Sequence, residues 1–393
     1  MKTILILFLA VILGSVTGLF IPESWIQGVL VIKQICGEVI FFLVPLIIVG
    51  FVAPSIASLK GNVSRLILLA FALAYVSSVG AAVFATVAGY ELIPLLHIRP
   101  DDGSGKVLPE VLFQLHIPPV LSVMSALLIA VFLGLGVIWS CAEEIGRLIA
   151  QFQQIVLQLV KRVLIPVLPV YVAANFCALG YEGNLGRLKV FLPVILIVIA
   201  GHLLWLALLY TLATIYSRRN GLEVLRHYGP AYLTALGTMS SAATLGVALQ
   251  CAHKSRLLGR KVVDFGIPLF ANIHLCGSVL TETFFVCVVS QLLYGHLPEF
   301  STMTVFIFLL GVFAVGAPGV PGGTVLASLG IVSSVLGFDD AGTAMLIAIF
   351  ALQDSFGTAC NVTGDGALTL ILDTFSRKHE QNQQTVDERE SYS

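Results

Sequence analysis

Charge is what this chain has least of. Lys and Arg number 21 and Asp and Glu 22 among 393 residues, so 11% of the chain is charged, where soluble domains carry about 25%. Apolar residues make up 58% and the mean hydropathy is +0.98. Too little polar material is left to cover a globule of this size, which argues against a soluble enzyme. With a net charge of −1 and no basic run, there is nothing to neutralise a phosphate backbone, so no nucleic-acid partner is expected. Cysteine is also sparse. Cys36, Cys141, Cys177, Cys251, Cys276, Cys287 and Cys360 are scattered with no CxxC pair, so they read as reduced apolar fillers rather than a disulfide framework or zinc site.

What is abundant is long apolar sequence. About 20 apolar residues cross the hydrocarbon core as a helix, and charge-free stretches of that kind fall at 3–22, 39–59, 66–90, 111–142, 163–181, 190–217, 228–253, 283–298 and 300–338. The expected fold is therefore an all-α polytopic membrane protein. Lys2 before the first stretch gives it the flank of a signal peptide. It lacks a small-residue cleavage site and runs into more apolar sequence, so it is read as the first span. Lys2, Lys60, Arg65, Arg147, Arg218, Arg219, Lys254, Arg256, Arg260, Lys261, Arg377 and Lys378 fall at the termini or in alternate connections. The positive-inside rule then puts both termini in the cytoplasm. The Gln- and Glu-rich end, 376–393, is expected to be a disordered cytoplasmic tail.

Two stretches are interrupted. The 300–338 stretch is nearly two crossings long and carries Gly316, Pro318, Gly319, Pro321, Gly322 and Gly323 at its centre, which no continuous helix tolerates. Two short helices meeting at that tip, as a re-entrant hairpin, fit it; two ordinary spans joined by a tight turn use the same residues. The 228–253 stretch has a similar break at Gly237-Thr238-Met239-Ser240-Ser241. Paired, interrupted apolar segments point to a transporter's substrate site.

Ionisable groups at membrane depth are costly and default to function. Asp354, Thr358, Asn361 and Asp365 are spaced 4, 3 and 4 residues apart, which at about 100° per residue confines them to a stripe roughly 60° wide. Ser and Thr of this segment, such as Ser355 and Thr363, suit hydrogen-bonded glue between helices. Two carboxylates on one face do not, and they suit an ammonium group or a hard cation.

At these residues the chain resembles the dicarboxylate/amino acid:cation symporters, the glutamate and neutral amino acid transporter family. Asn361-Val362-Thr363-Gly364-Asp365 is that family's NVTGD, and Gly319-Val320-Pro321-Gly322 matches its second hairpin tip. Ser240-Ser241 with Thr244-Leu245 matches the first tip. Phe265 to Ser278 aligns with the seventh helix, while Gly37 and Pro45-Leu46 look like the second.

The resemblance implies an elevator-type transporter with inverted repeats, about eight transmembrane helices and two re-entrant hairpins, assembled as a homotrimer in the plasma (inner) membrane. Scaffold helices would occupy 1–62 and 93–182. The transport core would hold the third helix at 63–92 and the block 183–375, with a hairpin at 223–255, the seventh helix at 264–295, a hairpin at 300–338 and the eighth helix at 340–375. By the same resemblance, substrate is bound by Asp354, Gly357, Thr358, Asn361, Ser240, Ser241, Val320, Pro321 and Gly322. Asp354 would take the α-ammonium of an amino acid, and Asn361, Ser241 and the second tip its α-carboxylate. A Na⁺ ion would sit at Asp365, with Asn361, Phe270 and His274 completing the cation set. No cofactor is implied beyond Na⁺ or H⁺ as coupling ions.

Departures from the family pattern sharpen the reading. Acidic-substrate members carry an arginine where this chain has Gly357, or one at the first tip where it has Met239. Without either, a second substrate carboxylate would be buried with no counter-charge, so a neutral amino acid is expected, and Gly357 is expected to open volume for its side chain. The family's NMDGT becomes His274-Leu275-Cys276-Gly277-Ser278, which removes a deep sodium site, because a thiol is a poor ligand for a hard cation. Glu282, eight residues beyond His274, would share its helix face and offers proton coupling with it; a static hydrogen bond is the alternative for Glu282. His274 with Cys276 as a metal pair is disfavoured at helical spacing i, i+2. An intramembrane cysteine hydrolase built on Cys276 or Cys360 with His274 lacks an orienting third group. An uncoupled, channel-like relative stays open. His202 reads as a packing polar group, Asp264 as a helix cap and Glu38 as a residue near a helix end.

Overall fold

A computed structural model describes residues 2–57, 65–96, 117–183, 191–317 and 321–391, together with 106, 108, 109, 111 and 115. Among the described residues there are helices and no strand. The first set is α1 (Lys2–Phe20), α2 (Glu23–Ala57), α3 (Arg65–Leu92), α4 (Val123–Trp139), α5 (Glu143–Leu159) and α6 (Ile165–Tyr181). There follow α7 (Phe191–Ser217), the single turn α8 (Leu222–Leu225), α9 (Gly229–Thr238), α10 (Ser241–His253), α11 (Arg260–Ile273) and α12 (Cys276–Tyr294). The chain ends with α13 (Phe300–Gly316), α14 (Gly323–Ser334) and α15 (Asp340–Ser391). Six of the described segments are long and apolar enough to cross a membrane, so the protein is a polytopic membrane protein.

Helix packing sorts the elements into two neighbourhoods. α1 lies against α6, and α2 against α4, α5 and α6. Around α12 are gathered α3, α7 and α15, while α9 packs on α10 and α15, and α13 on α14 and α3. α12 is the central helix: Cys276 to Ser290 are buried without exception. A helix enclosed all round is normally apolar throughout. This one carries Ser278, Thr281, Glu282 and Thr283 inside, so those groups must find partners within the protein.

Both interrupted stretches are helix pairs that fold back on themselves. In the first, Met239 ends α9 in the left-handed region (φ 53°), and Ser240 opens α10, its Oγ accepting the Ala243 N–H at 3.2 Å. In the second, α13 and α14 pack together, and the chain re-enters α14 through Gly322 at φ 72°. Pro318, Gly319 and Val320 lie outside the described residues.

Several elements differ from the sequence reading. The seventh helix is not continuous over 264–295: it breaks at His274 and Leu275, whose φ, ψ pairs of −112°, 100° and −119°, 38° lie outside the helical region. α15 runs on to Ser391 through the segment expected to be disordered. That segment contains no Gly or Pro and is rich in Glu and Gln, so nothing in it stops a helix already nucleated upstream. Glu38 lies within α2, where its Oε2 accepts the Ile117 N–H at 2.8 Å. Asp264 sits inside α11 and pairs with His253 at 2.8 Å, leaving the N-cap position to Gly259.

Candidate functional site

The polar stripe of α15 meets a different element at each of its turns. Asp354 is 3% exposed and its Oδ2 accepts the Gly322 N–H at 2.7 Å, so the first carboxylate is attached to the second hairpin tip. A small cavity of about 20 Å³ separates the two tips, and Met239, Pro321, Gly322, Val325, Phe350 and Asp354 are among the residues that line it. That volume suits one water molecule, so an amino acid requires the tips to part. Among the described residues, no Lys or Arg lines this cavity and Asp354 makes no ion pair. Val320, assigned to the same tip from sequence, lies outside the described residues.

The first tip is held by its own hydroxyls. Thr238 Oγ1 lies 3.0 Å from Thr244 Oγ1, and Thr244 Oγ1 donates to the Ser240 carbonyl at 2.9 Å. Ser241 is buried. These bonds support the left-handed Met239, which costs a non-glycine residue about 1–2 kcal/mol, and keep its side chain in the cavity facing Asp354.

One turn further along α15, Gly357 lies against the start of α12. A Cβ on Gly357 would come within 3.2 Å of the Ser278 N and Cα and 3.3 Å of the Gly277 carbonyl carbon. The space expected there for a larger substrate is filled by α12 backbone. Thr358 is buried beside it. Asn361 is also committed to α12: its Oδ1 accepts the N–H groups of Gly277 (2.7 Å) and Ser278 (3.2 Å), and its Nδ2 donates to Ser278 Oγ at 2.9 Å. It thereby satisfies N–H groups that the first turn of α12 leaves without helical partners.

Asp365, at the end of the stripe, reaches the break between α11 and α12. His274 Nδ1 lies 2.8 Å from Asp365 Oδ1, and its Nε2 lies 2.9 Å from Ser77 Oγ on α3. Both partners of the ion pair are buried, at 0% and 1% exposure. The His274 N–H donates to the Phe270 carbonyl at 2.8 Å, and the two rings meet edge to face. The four residues assigned to the cation are therefore neighbours, bonded to one another or to the start of α12.

His274 and Glu282 do not form a pair. The break rotates His274 towards Asp365, while Glu282 Oε1 accepts a hydrogen bond from Ser328 Oγ of α14. Its Oε2 is buried with no hydrogen-bond partner among the described residues. The same break removes the helical i, i+2 separation from His274 and Cys276, both of which approach Gly364. Still, no group of three His, Cys, Asp or Glu side chains suited to a metal exists among the described residues.

Three further contacts had weak sequence signals. Ser77 and Ser328 look like ordinary small residues of apolar helices, and each turns out to be the partner of a buried ionisable group. His202 Nε2 lies 3.0 Å from the Gly277 carbonyl and 2.9 Å from Thr281 Oγ1, so this packing histidine supports the same turn that Asn361 caps.

Residues 4–375 match the sodium:dicarboxylate symporter family. Mouse (Mus musculus) excitatory amino acid transporter 3 is 31% identical over 193 residues, covering 49% of this chain and 36% of that protein. The human (Homo sapiens) counterpart is 32% identical over 164 residues, covering 42% and 31%. Mouse excitatory amino acid transporter 2 is 26% identical over 249 residues, covering 61% and 42%. The matched parts thus span well under half the length of these relatives. With a match that extends over nearly the whole chain, the protein belongs to the sodium:dicarboxylate symporter family.

Proposed function

We propose that this protein is a secondary active symporter that carries an amino acid, neutral rather than acidic, into the cell with Na⁺, H⁺ or both. The observation that carries the reading is the chemistry between the hairpin tips. One carboxylate, Asp354, faces a space otherwise lined by groups such as Met239, Pro321, Val325 and Phe350, and among the described residues no basic side chain joins them. An α-ammonium group neutralises that carboxylate, whereas a second acidic group on the substrate would be buried without a counter-ion, at a cost of several kcal/mol. Opening of the tips admits the substrate and closing sequesters it. Only the closed core, α3 with α7 to α15, then moves against the scaffold of α1, α2 and α4 to α6 in an elevator cycle. Eight spans, two re-entrant hairpins, cytoplasmic termini and a homotrimer in the plasma (inner) membrane complete the proposal.

Glu282 is the proton-carrying candidate of this reading, because a fully buried carboxylate with one unpartnered oxygen stands between α12 and the mobile hairpin arm α14. A second reading is favoured by the relatives' names: a dicarboxylate or acidic amino acid as substrate.

Purified protein in liposomes, given labelled neutral and acidic amino acids and dicarboxylates under a Na⁺ gradient, a pH gradient or neither, tests the proposal. Concentrative uptake of a neutral amino acid is expected, with at least a hundredfold loss in Asp354→Asn. Uptake of dicarboxylates that survives Asp354→Asn would establish the second reading. If only the pH gradient drives uptake and Glu282→Gln abolishes that drive, the proton is the coupling ion.

A further inference from the structure

A groove of about 690 Å³ runs along α7 and is bounded on its other sides by α8, α9 and α15, a volume within the range of small-molecule sites. Its wall is apolar, built from Leu203, Leu206, Ala207, Ile215, Leu222 and Leu225. Leu203, Ile215 and Leu222 are each more than half exposed, so the groove opens on the outer face of the molecule. α7 is long and apolar enough to cross a membrane, and that face then meets lipid. Leu203 stands near the middle of α7 and Ile215 near its end at Ser217, so the groove reaches from the end of the span to its middle.

The chemistry changes with depth. At the end of the span the mouth holds Asn220 and Arg226, and a second hollow of about 610 Å³ continues from them, adding Arg219 and Glu223. Residues 217–228 carry Arg218, Arg219 and Arg226 against one acid, Glu223. That carboxylate is already engaged by Ser255 Oγ, the Arg256 N–H and Arg226, whose own side chain is 60% exposed. Lys378 adds a cation at the same end of α7, with Nζ 4.9 Å from the centre of the Tyr216 ring. Deeper in, Tyr228 and Thr363 line the groove. The Tyr228 hydroxyl and Thr363 Oγ1 are buried with no hydrogen-bond partner among the described residues, a costly state that a ligand with an acceptor relieves. Tyr210 donates to the Thr363 carbonyl at 2.9 Å, which places this polar floor about two helical turns inside the end of α7.

Cations at the membrane surface, hydroxyl donors two turns below them and an apolar channel beyond match, in order, the phosphate, the ester and the acyl chain of a glycerophospholipid. We propose that this groove binds one anionic phospholipid, with its phosphate at Arg226, an ester carbonyl accepting from Tyr228 and Thr363, and a chain along Ala207, Leu206 and Leu203. Basic pockets beside membrane spans take anionic headgroups in this way. The lipid touches α7, α9 and α15 at once and so ties the first arm of the first hairpin to its neighbours. No residue of the groove lines the cavity between the hairpin tips, and the proposal does not depend on the symporter reading.

Native mass spectrometry of the purified protein in detergent, titrated with phosphatidylglycerol or with phosphatidylcholine of the same chains, counts bound lipid and ranks the headgroups without requiring transport. One phosphatidylglycerol per chain is expected to be held about tenfold more tightly than phosphatidylcholine, and glycerol 3-phosphate is expected not to displace it. Ala207→Trp fills the groove from an exposed position of its wall and is expected to release that molecule. Arg226→Gln is expected to remove the preference between headgroups. Tyr228→Phe is expected to weaken both lipids about fivefold, the loss of one hydrogen bond to an ester that both carry. Equal affinity of wild type for the two headgroups, or displacement by glycerol 3-phosphate alone, overturns the proposal. So does retention of phosphatidylglycerol at wild-type affinity in Ala207→Trp or in Tyr228→Phe. Should Ala207→Trp fail to fold, Thr211→Phe, at a second exposed position of the groove, carries the same expectation, and wild-type retention in it overturns the proposal equally.

Discussion

Gly357 shows how a residue whose missing charge is plain in the sequence can still be read incorrectly for space. Its lack of an arginine side chain is legible in the sequence and carries the argument for a neutral substrate. The volume it would open is not legible, because the neighbour that fills it, the Gly277–Ser278 turn of α12, lies about 80 positions away in the chain. An alanine at this site has to push α12 backbone that is itself capped by Asn361. Gly357→Ala is therefore expected to destabilise the protein by about 1–3 kcal/mol, as overpacked cores do, and to lower the thermal midpoint without altering the order of preference among neutral substrates. A variant of unchanged stability that rejects only larger side chains would restore the volume reading.

Among the elements, helix pairs and apolar spans were the legible part, since apolar length and glycine-proline tips are local properties. The break between α11 and α12 was not. His274-Leu275-Cys276 contains no residue that disfavours a helix strongly, and the chain unwinds there because Asn361, His202 and Asp365 supply partners from other helices for the turn and its side chains. The polar face of α15 was legible as a stripe, but which neighbour each residue meets depends on that break. The second tip offers a test of element-level design. Gly322 needs its left-handed φ of 72° to aim its N–H at Asp354, and a Cβ there has room, its nearest neighbour being 3.7 Å away. The cost of Gly322→Ala is then conformational, about 1–2 kcal/mol. It falls on the closed tip, so substrate affinity measured by calorimetry is expected to drop about tenfold. A drop confined to the thermal midpoint, with affinity intact, would assign Gly322 to folding alone.

At the scale of the whole molecule, the basic residues between the apolar stretches were read as a signal for orientation, and the structure gives some of them a second task. Asp373, 1% exposed near the end of the membrane part of α15, receives Arg219 Nη1 and Arg377 Nε at Oδ2, both at 2.8 Å, and the Gly259 N–H at Oδ1 at 2.9 Å. Arg219 and Arg377 also donate to the Leu257 carbonyl. One carboxylate thus joins the connection after α7, the α10–α11 link and α15. Beside it, Glu223 of α8 accepts from Ser255 Oγ and the Arg256 N–H. Burial tends to push its carboxyl up, but those bonds, with Arg226 and His227 alongside, hold it below the usual range. A carboxylate depressed in the folded state stabilises above its unfolded value, about 4.3, and that contribution disappears as pH falls through the folded value. The thermal midpoint is expected to fall more steeply with acid below about pH 4.3 in wild type than in Glu223→Gln.

The Asp373 clamp makes the stronger claim, because it bears on the proposed elevator cycle. In that cycle the core would travel as one body, and at this end of the molecule the loops after α7 and between α10 and α11 meet α15. A buried carboxylate with two guanidinium partners resists separation of those loops, and removing it leaves two arginines and a backbone N–H without their acceptor. Breaking a buried pair in this way costs about 3–5 kcal/mol. Arg377 is 49% exposed, so solvent screens its share, and Asp373→Ala is expected to cost about 3 kcal/mol. Arg377→Ala should cost much less than Arg219→Ala, whose side chain is 25% exposed. If the clamp holds the core together, hydrogen exchange in Asp373→Ala rises at the α10–α11 link and the end of α15 together while α1, α2 and α6 keep wild-type protection. A uniform rise over all helices would show instead that Asp373 contributes only to overall stability.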